Sequence, residues 1–202
     1  MQLSCIRILG PLGLFGCLAA ATAFANERSF MGIEVGAPAP SECPTERSAY
    51  GPDRYSYSEG KAPCWSKIGG TPDGRGLTSN GVTTVQMWIN SDSRPHGTSM
   101  PYAEIADGKV ESVSVETTGF ADQDSILSAL TKKYGKPTLL EREPVQTGVG
   151  AKFDRIHASW KKPDLNVEFF GMLGSVTEGN ISVRTDAGKS RFEEQYGKEK
   201  SF

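Results

Sequence analysis

The sequence predicts an α+β fold, an antiparallel sheet with one main helix packed on it, preceded by loops pinned by a disulfide. Three observations carry that expectation. Apolar and polar side chains alternate along Val85-Gln86-Met87-Trp88-Ile89 and again along Ile156-His157-Ala158-Ser159-Trp160, the period of two that turns one face of a strand to a core. One stretch, Gln123–Tyr134, has helical spacing with both ends marked. Finally, Cys43 and Cys64 stand as a pair within a segment rich in Pro, Gly, Ser and Tyr.

The first 25 residues are expected to be a leader. Arg7 is the first charge and none follows from residue 8 to residue 25, where Leu9, Leu12, Leu14, Phe15 and Leu18 form an apolar stretch broken by Gly10, Pro11 and Gly13. Ala23-Phe24-Ala25 then places small residues where a signal peptidase reads, before the polar Asn26-Glu27-Arg28, so cleavage is expected after Ala25. The rivals are an uncleaved anchor, although the strongly apolar part is shorter than the roughly 20 residues that span a bilayer, and lipoprotein processing at Cys17. With residues 1–25 removed as a signal peptide, residues 26–202 are expected to form a single domain, loop-rich over 26–80 and sheet plus helix over 81–202. No membrane insertion is expected after cleavage.

From residue 30 to about residue 77 prolines at 38, 40, 44, 52, 63 and 72 argue against long regular elements, because proline removes a backbone donor. Phe30-Met31-Gly32-Ile33-Glu34-Val35-Gly36 can open this region with a short strand. Once Cys5 and Cys17 leave with the leader, Cys43 and Cys64 remain. An even pair in an oxidising compartment reads as one disulfide, which by loop-closure entropy contributes about 3 kcal/mol. A redox or metal pair is the alternative, yet two cysteines alone do not complete a tetrahedral zinc site and no Cys-x-x-Cys occurs.

Past Gly81 the strands begin. The alternation at Val85, Met87 and Ile89 and that at Val113 and Val115 predict two antiparallel neighbours joined by a long loop through Ser91-Asp92-Ser93-Arg94-Pro95-His96-Gly97. The helix follows, with Asp122 as N-cap, Asp124 in the first turn, Lys132 and Lys133 in the last, and Gly135 and Pro137 beyond; each agrees with capping and the macrodipole. Ile126, Leu127, Leu130 and Tyr134 share the face that should meet the sheet. Ile156, Ala158 and Trp160, then Val167 and Phe169 after the turn at Lys161-Lys162-Pro163-Asp164, then Ile181 and Val183, predict the remaining strands. A short tail helix is expected over residues 189–196.

Chemistry-bearing residues are few. Acidic residues number 24 and basic ones 22, for a net charge of −2, and both signs are mixed along the chain, so nothing draws a nucleic acid by long-range field. His96, on a loop tip, and His157, on a strand and pointing away from Ile156 and Ala158, are the only histidines. No Gly-x-Ser-x-Gly elbow, His-Glu-x-x-His or acidic calcium loop accompanies them, and Gly188-Lys189-Ser190 lacks the first glycine of a phosphate-binding loop. No catalytic residue, metal ligand or cofactor is therefore expected.

The segment that stands out is Tyr50-Gly51-Pro52-Asp53-Arg54-Tyr55-Ser56-Tyr57-Ser58-Glu59-Gly60, inside the Cys43–Cys64 loop. Tyrosine offers a large amphipathic contact area with few rotors, and Ser and Gly adapt around it. Tyr50, Arg54, Tyr55 and Tyr57 read either as a partner-binding loop, or as an ordinary loop whose tyrosines fold back onto the sheet.

Gly32-Ile33-Glu34-Val35-Gly36 and Leu130-Thr131-Lys132-Lys133-Tyr134-Gly135-Lys136-Pro137 resemble phrases of small bacterial envelope proteins of the BamE-like and β-lactamase-inhibitor-like type. That resemblance implies a helix on an antiparallel sheet whose task is to bind another protein. Together with export and one disulfide, it leads to the expectation of a periplasmic or secreted protein-binding module, an inhibitor or immunity-type protein, whose partner is an envelope or secreted protein. A small secreted hydrolase with His96 or a carboxylate as base, and a structural envelope component, are the alternatives.

Overall fold

A computed structural model of the chain describes residues 27–47, 49, 54–58, 60, 62–67, 77–79, 81–146, 148 and 150–197. The leader read over residues 1–25, and Tyr50, lie outside the described residues. A hairpin of β1 (Ser29–Phe30) and β2 (Ile33–Glu34) comes first. Its turn residues Met31 and Gly32 have φ of 54° and 82°, the positive pair that a mirror-image hairpin turn requires. The hairpin is short but apolar, and Phe30, Met31, Ile33 and Val35 are all buried. A second small ladder pairs β3 (Thr45–Glu46) with β4 (Arg54–Tyr55).

Among the described residues the main sheet has nine strands, all neighbours antiparallel. They are β5 (Cys64–Ser66), β6 (Leu77–Ser79), β7 (Val82–Trp88), β8 (Tyr102–Ala106), β9 (Lys109–Thr117), β10 (Leu139–Gln146), β11 (Lys152–Lys162), β12 (Leu165–Phe170) and β13 (Gly179–Arg184). Their order across the sheet is β10-β11-β12-β13-β9-β8-β7-β5, with β6 also on the outer side of β7. Beside them, among the described residues, run α1 (Gln123–Tyr134) between β9 and β10, and α2 (Asp186–Tyr196) after β13. α1 therefore carries the chain from the middle of the sheet to its far edge, and four strands return in sequence order.

Register explains which face is the core. Trp160, Val167, Val183, Val113, Ala103 and Val85 stand opposite one another in a single row across β11, β12, β13, β9, β8 and β7, and all six are buried. Because successive side chains alternate faces, the next row lies on the other side: Ser159, Glu168, Ser182, Ser114, Tyr102, Gln86 and Ser66. α1 and the β1–β2 hairpin cover the apolar face. Ile126, Leu130 and Tyr134 of α1 are buried there, the Trp160 indole donates to the Gly135 carbonyl at 2.8 Å, and the Lys133 ammonium bonds the Ser29 carbonyl. Burial of the phenol pushes the Tyr134 pKa up, and desolvation lowers that of Lys133. Gln123 closes the end of the layer, its amide donating to the Asp154 carbonyl at 2.7 Å and accepting from the Ile156 N–H at 3.3 Å.

Three expectations are corrected. The described residues are mostly β, with α1, α2 and an extended sheet, where an α+β sheet carrying one main helix was expected. The region read as loops before residue 81 contributes β5 and β6 to that sheet. The strands at residues 85–89 and 113–115 are also not neighbours, since β8 lies between β7 and β9. The reasons differ by element, and β5 and β6, of three residues each, are too short to show a period. β8 carries a register shift between Glu104 and Ile105 that breaks its alternation, and β10, at the sheet edge, is exposed along nearly its whole length. β8 thus shows only an interrupted alternation although Ala103 and Ala106 are buried, and β10, exposed on both faces, shows none. Among the described residues no helix is long and apolar enough to cross a membrane.

Candidate functional site

The disulfide is present, joining Cys43 to Cys64 with a Cα–Cα distance of 5.0 Å. It acts with main-chain bonds, because the Cys43 N–H donates to the Trp65 carbonyl at 2.8 Å and the Trp65 N–H to the Ser41 carbonyl at 3.2 Å. The Trp65 indole adds a bond to the Pro40 carbonyl at 2.9 Å. Residues 40–43 are thereby stapled to β5, at the edge of the sheet.

The singled-out loop residues have different fates. Arg54 is exposed on β4. Tyr55, beside it, donates its hydroxyl to Glu42 at 2.8 Å; burial and then that bond raise its pKa. Tyr57 folds back onto the sheet, where its ring stacks on Trp88 with centroids 5.5 Å apart and planes 29° apart. Its hydroxyl lies 3.5 Å from the Asn90 side-chain oxygen. Trp88 is itself fixed by a 2.8 Å bond from its indole N–H to the Ser66 hydroxyl. Tyr57, Trp88, Asn90, Arg94 and Met100 line a cleft of about 180 Å³. The sequence reading passed over Trp88, Arg94 and Met100, although Trp88 alternates with buried Met87 and was bound to emerge on the polar face.

Further along the same polar face a chain of charges crosses four strands. His157 on β11 lies 3.3 Å from Glu168 on β12 and 3.5 Å from Glu141 on β10, and its ring stacks on Phe170 at 4.3 Å and 11°. Glu168 also faces Arg184 of β13 at 3.8 Å. The hydrogen bond to Glu168 raises the His157 pKa against the opposing effect of burial, and Glu141 adds to the rise. For Glu168 burial pulls upward, but the His157 bond and the Arg184 charge outweigh it and hold the carboxyl below its usual range. The period of two places His157, Glu168 and Arg184 on one face, but their cross-strand meeting depends on register.

His96, the other histidine, sits on its loop with 94% of its side chain exposed and Nδ1 3.5 Å from Asp122. The second oxygen of Asp122 receives the Thr118 hydroxyl. This carboxylate is therefore engaged at the start of α1, and its side chain makes no capping bond to the helix.

The two assemblies on the polar face share one property: their side chains are held by neighbours before anything binds. Such a surface suits recognition, because little side-chain freedom is left to lose. No family model, curated protein or solved structure matches this chain.

Proposed function

We propose that the protein is an exported module of the bacterial cell envelope that binds another protein, as an inhibitor or immunity-type protein does, after removal of residues 1–25. The observation that carries this reading is the cleft in which Tyr57 stacks on Trp88 beside Arg94 and Met100. Tyr, Trp, Arg and Met are the residue types enriched at protein interfaces, and a rigid aromatic pair next to an arginine has the composition of a binding hot spot. The Cys43–Cys64 bridge supports the exported compartment, since disulfides persist where the surroundings are oxidising. It also anchors the segment that leads to Tyr57. Arg54 and Tyr55, on the adjoining ladder, extend the contact surface.

The test is capture of a partner from an envelope extract by the tagged, oxidised protein, followed by affinity measurement with the captured protein. Tyr57→Ala and Trp88→Ala should each weaken binding at least about tenfold, while Glu143→Gln, on β10 at the opposite edge of the sheet, leaves it unchanged. Equal affinity of all three variants would remove the cleft from the interface. Export is tested separately, by the N-terminus of the protein recovered outside the cytoplasm: Asn26 is expected, and Met1 would overturn cleavage.

A further inference from the structure

α2 does not lie in the core. Gly188 is its one buried residue, and it leans across the polar face of the sheet, held by Thr185, whose hydroxyl bonds the buried carboxylate of Glu111, and by Arg191, 3.2 Å from Asp107. Between α2 and the sheet runs a groove of about 460 Å³, lined by Lys161, Glu168, Arg184, Lys189, Phe192 and Glu193 among others. This volume falls among those of small-molecule sites, roughly 300–1,000 Å³.

Arg184 is the centre of the groove. Its side chain is 12% exposed, and the Phe192 ring covers one face of the guanidinium, 4.1 Å from its central carbon. Nη1 donates to the Ser182 hydroxyl at 2.6 Å and faces Glu168 at 3.8 Å. Nε is buried with no hydrogen-bond partner among the described residues. A guanidinium meets a carboxylate best through two parallel N–H bonds, and Nε with Nη2 forms one such edge. The stacked ring covers a face and Ser182 takes Nη1, which leaves Nε without a partner among the described residues.

The surrounding charges select among anions. Three cations, Lys161, Arg184 and Lys189, share the groove with two carboxylates, Glu168 and Glu193. Lys161 is already engaged by Asn166 at 3.0 Å and by Asp186, whereas Lys189 and Glu193 form only a loose, exposed pair at 3.8 Å, of the kind that contributes little and opens readily. A dianion such as phosphate would face both glutamates. A ligand carrying its own ammonium would instead offer it to them. We propose that this groove binds a small zwitterion of the free amino-acid or dipeptide class, its carboxylate seated side-on against Arg184 and its ammonium turned to Glu193 and Glu168. This site is separate from the Tyr57–Trp88 cleft and stands whether or not that cleft holds a protein.

The probe is L-alanyl-L-alanine, titrated into the oxidised protein by calorimetry and by ¹⁵N NMR of the arginine Nε–H groups. Its C-terminal amide, its N-acetyl derivative and inorganic phosphate are the comparisons. Saturable binding is expected with a shift of the Arg184 Nε–H resonance, and each of the three comparison compounds should bind at least tenfold more weakly. Arg184→Lys, which keeps the charge and loses the fork, should weaken the dipeptide at least tenfold, with amide protection in α2 showing that the helix stays docked. Should that variant fail to fold, the exposed Glu193→Gln serves in its place, with a several-fold loss for the dipeptide and none for the N-acetyl derivative. Absence of saturable binding, phosphate binding as tightly as the dipeptide, or wild-type affinity in the variant that folds would each overturn the proposal.

Discussion

His157 shows how a residue that looks unremarkable in sequence acquires a defined role through its neighbours. Its partners raise its pKa, so the stabilisation it contributes as an imidazolium is fully present below the unfolded value, about 6.5, and is lost as pH rises through the folded one. Glu168 is shifted the other way. Its contribution is present above the ordinary glutamate value of about 4.3 and is lost as pH falls through the depressed one. The pair is strongest where both are charged, from about pH 5 to 6. His157→Gln should therefore cost about 1 kcal/mol near pH 5.5 and distinctly less at pH 8.5, measured by urea unfolding at the two pH values. The same loss at both would show that stacking on Phe170, rather than charge, is what the imidazole supplies. In sequence the alternation already put this histidine opposite Ile156 and Ala158; nothing in it pointed to Glu141 and Glu168, which lie 16 residues before and 11 after it.

Among the elements, α1 was the most legible, and its expected bounds at residues 123 and 134 are those observed. Its signals are local: an acidic first turn, a basic last turn, and Gly135 beyond with φ of 81°. What the local signals leave out is how the helix is tied to the sheet. β12 ends at Phe170, opposite His157, so the β11 backbone before that point has no strand on this side, and the Gln123 side chain takes its place. Gln123→Leu preserves volume and leaves the Asp154 carbonyl and the Ile156 N–H without partners in the interior. A loss of about 2–3 kcal/mol is expected, together with faster amide exchange at Ile156. A change below about 0.5 kcal/mol would mean that water replaces the amide. β10 illustrates the opposite case. Leu139 and Leu140 are exposed there, and Glu141, Arg142, Glu143 and Pro144 follow, a set of charges and a missing donor that protects an edge strand from pairing with other chains. Such a strand carries no alternating signature, because neither of its faces is buried.

For the whole molecule the disulfide is the long-range constraint that sequence arithmetic identified and the structure contains. Its loop-closure contribution of about 3 kcal/mol corresponds to a fall in Tm of roughly 6–12 °C on replacing both cysteines with serine, readable by calorimetry in oxidising buffer. A fall under about 2 °C would show that the main-chain bonds around Trp65 hold the segment unaided. The sequence by itself determined the bridged cysteines, the helix at residues 123–134 and the strands whose apolar residues alternate. Each of these is written in short-range spacing or in the count of one residue type. The tertiary structure alone decided that β8 separates β7 from β9, that β5 and β6 extend the sheet into a region of prolines and glycines, and that Tyr57 meets Trp88 while Arg184 meets Phe192. Those outcomes depend on register and on which strands become neighbours, and both are set by burying one continuous apolar row across six strands rather than by any local run of residues.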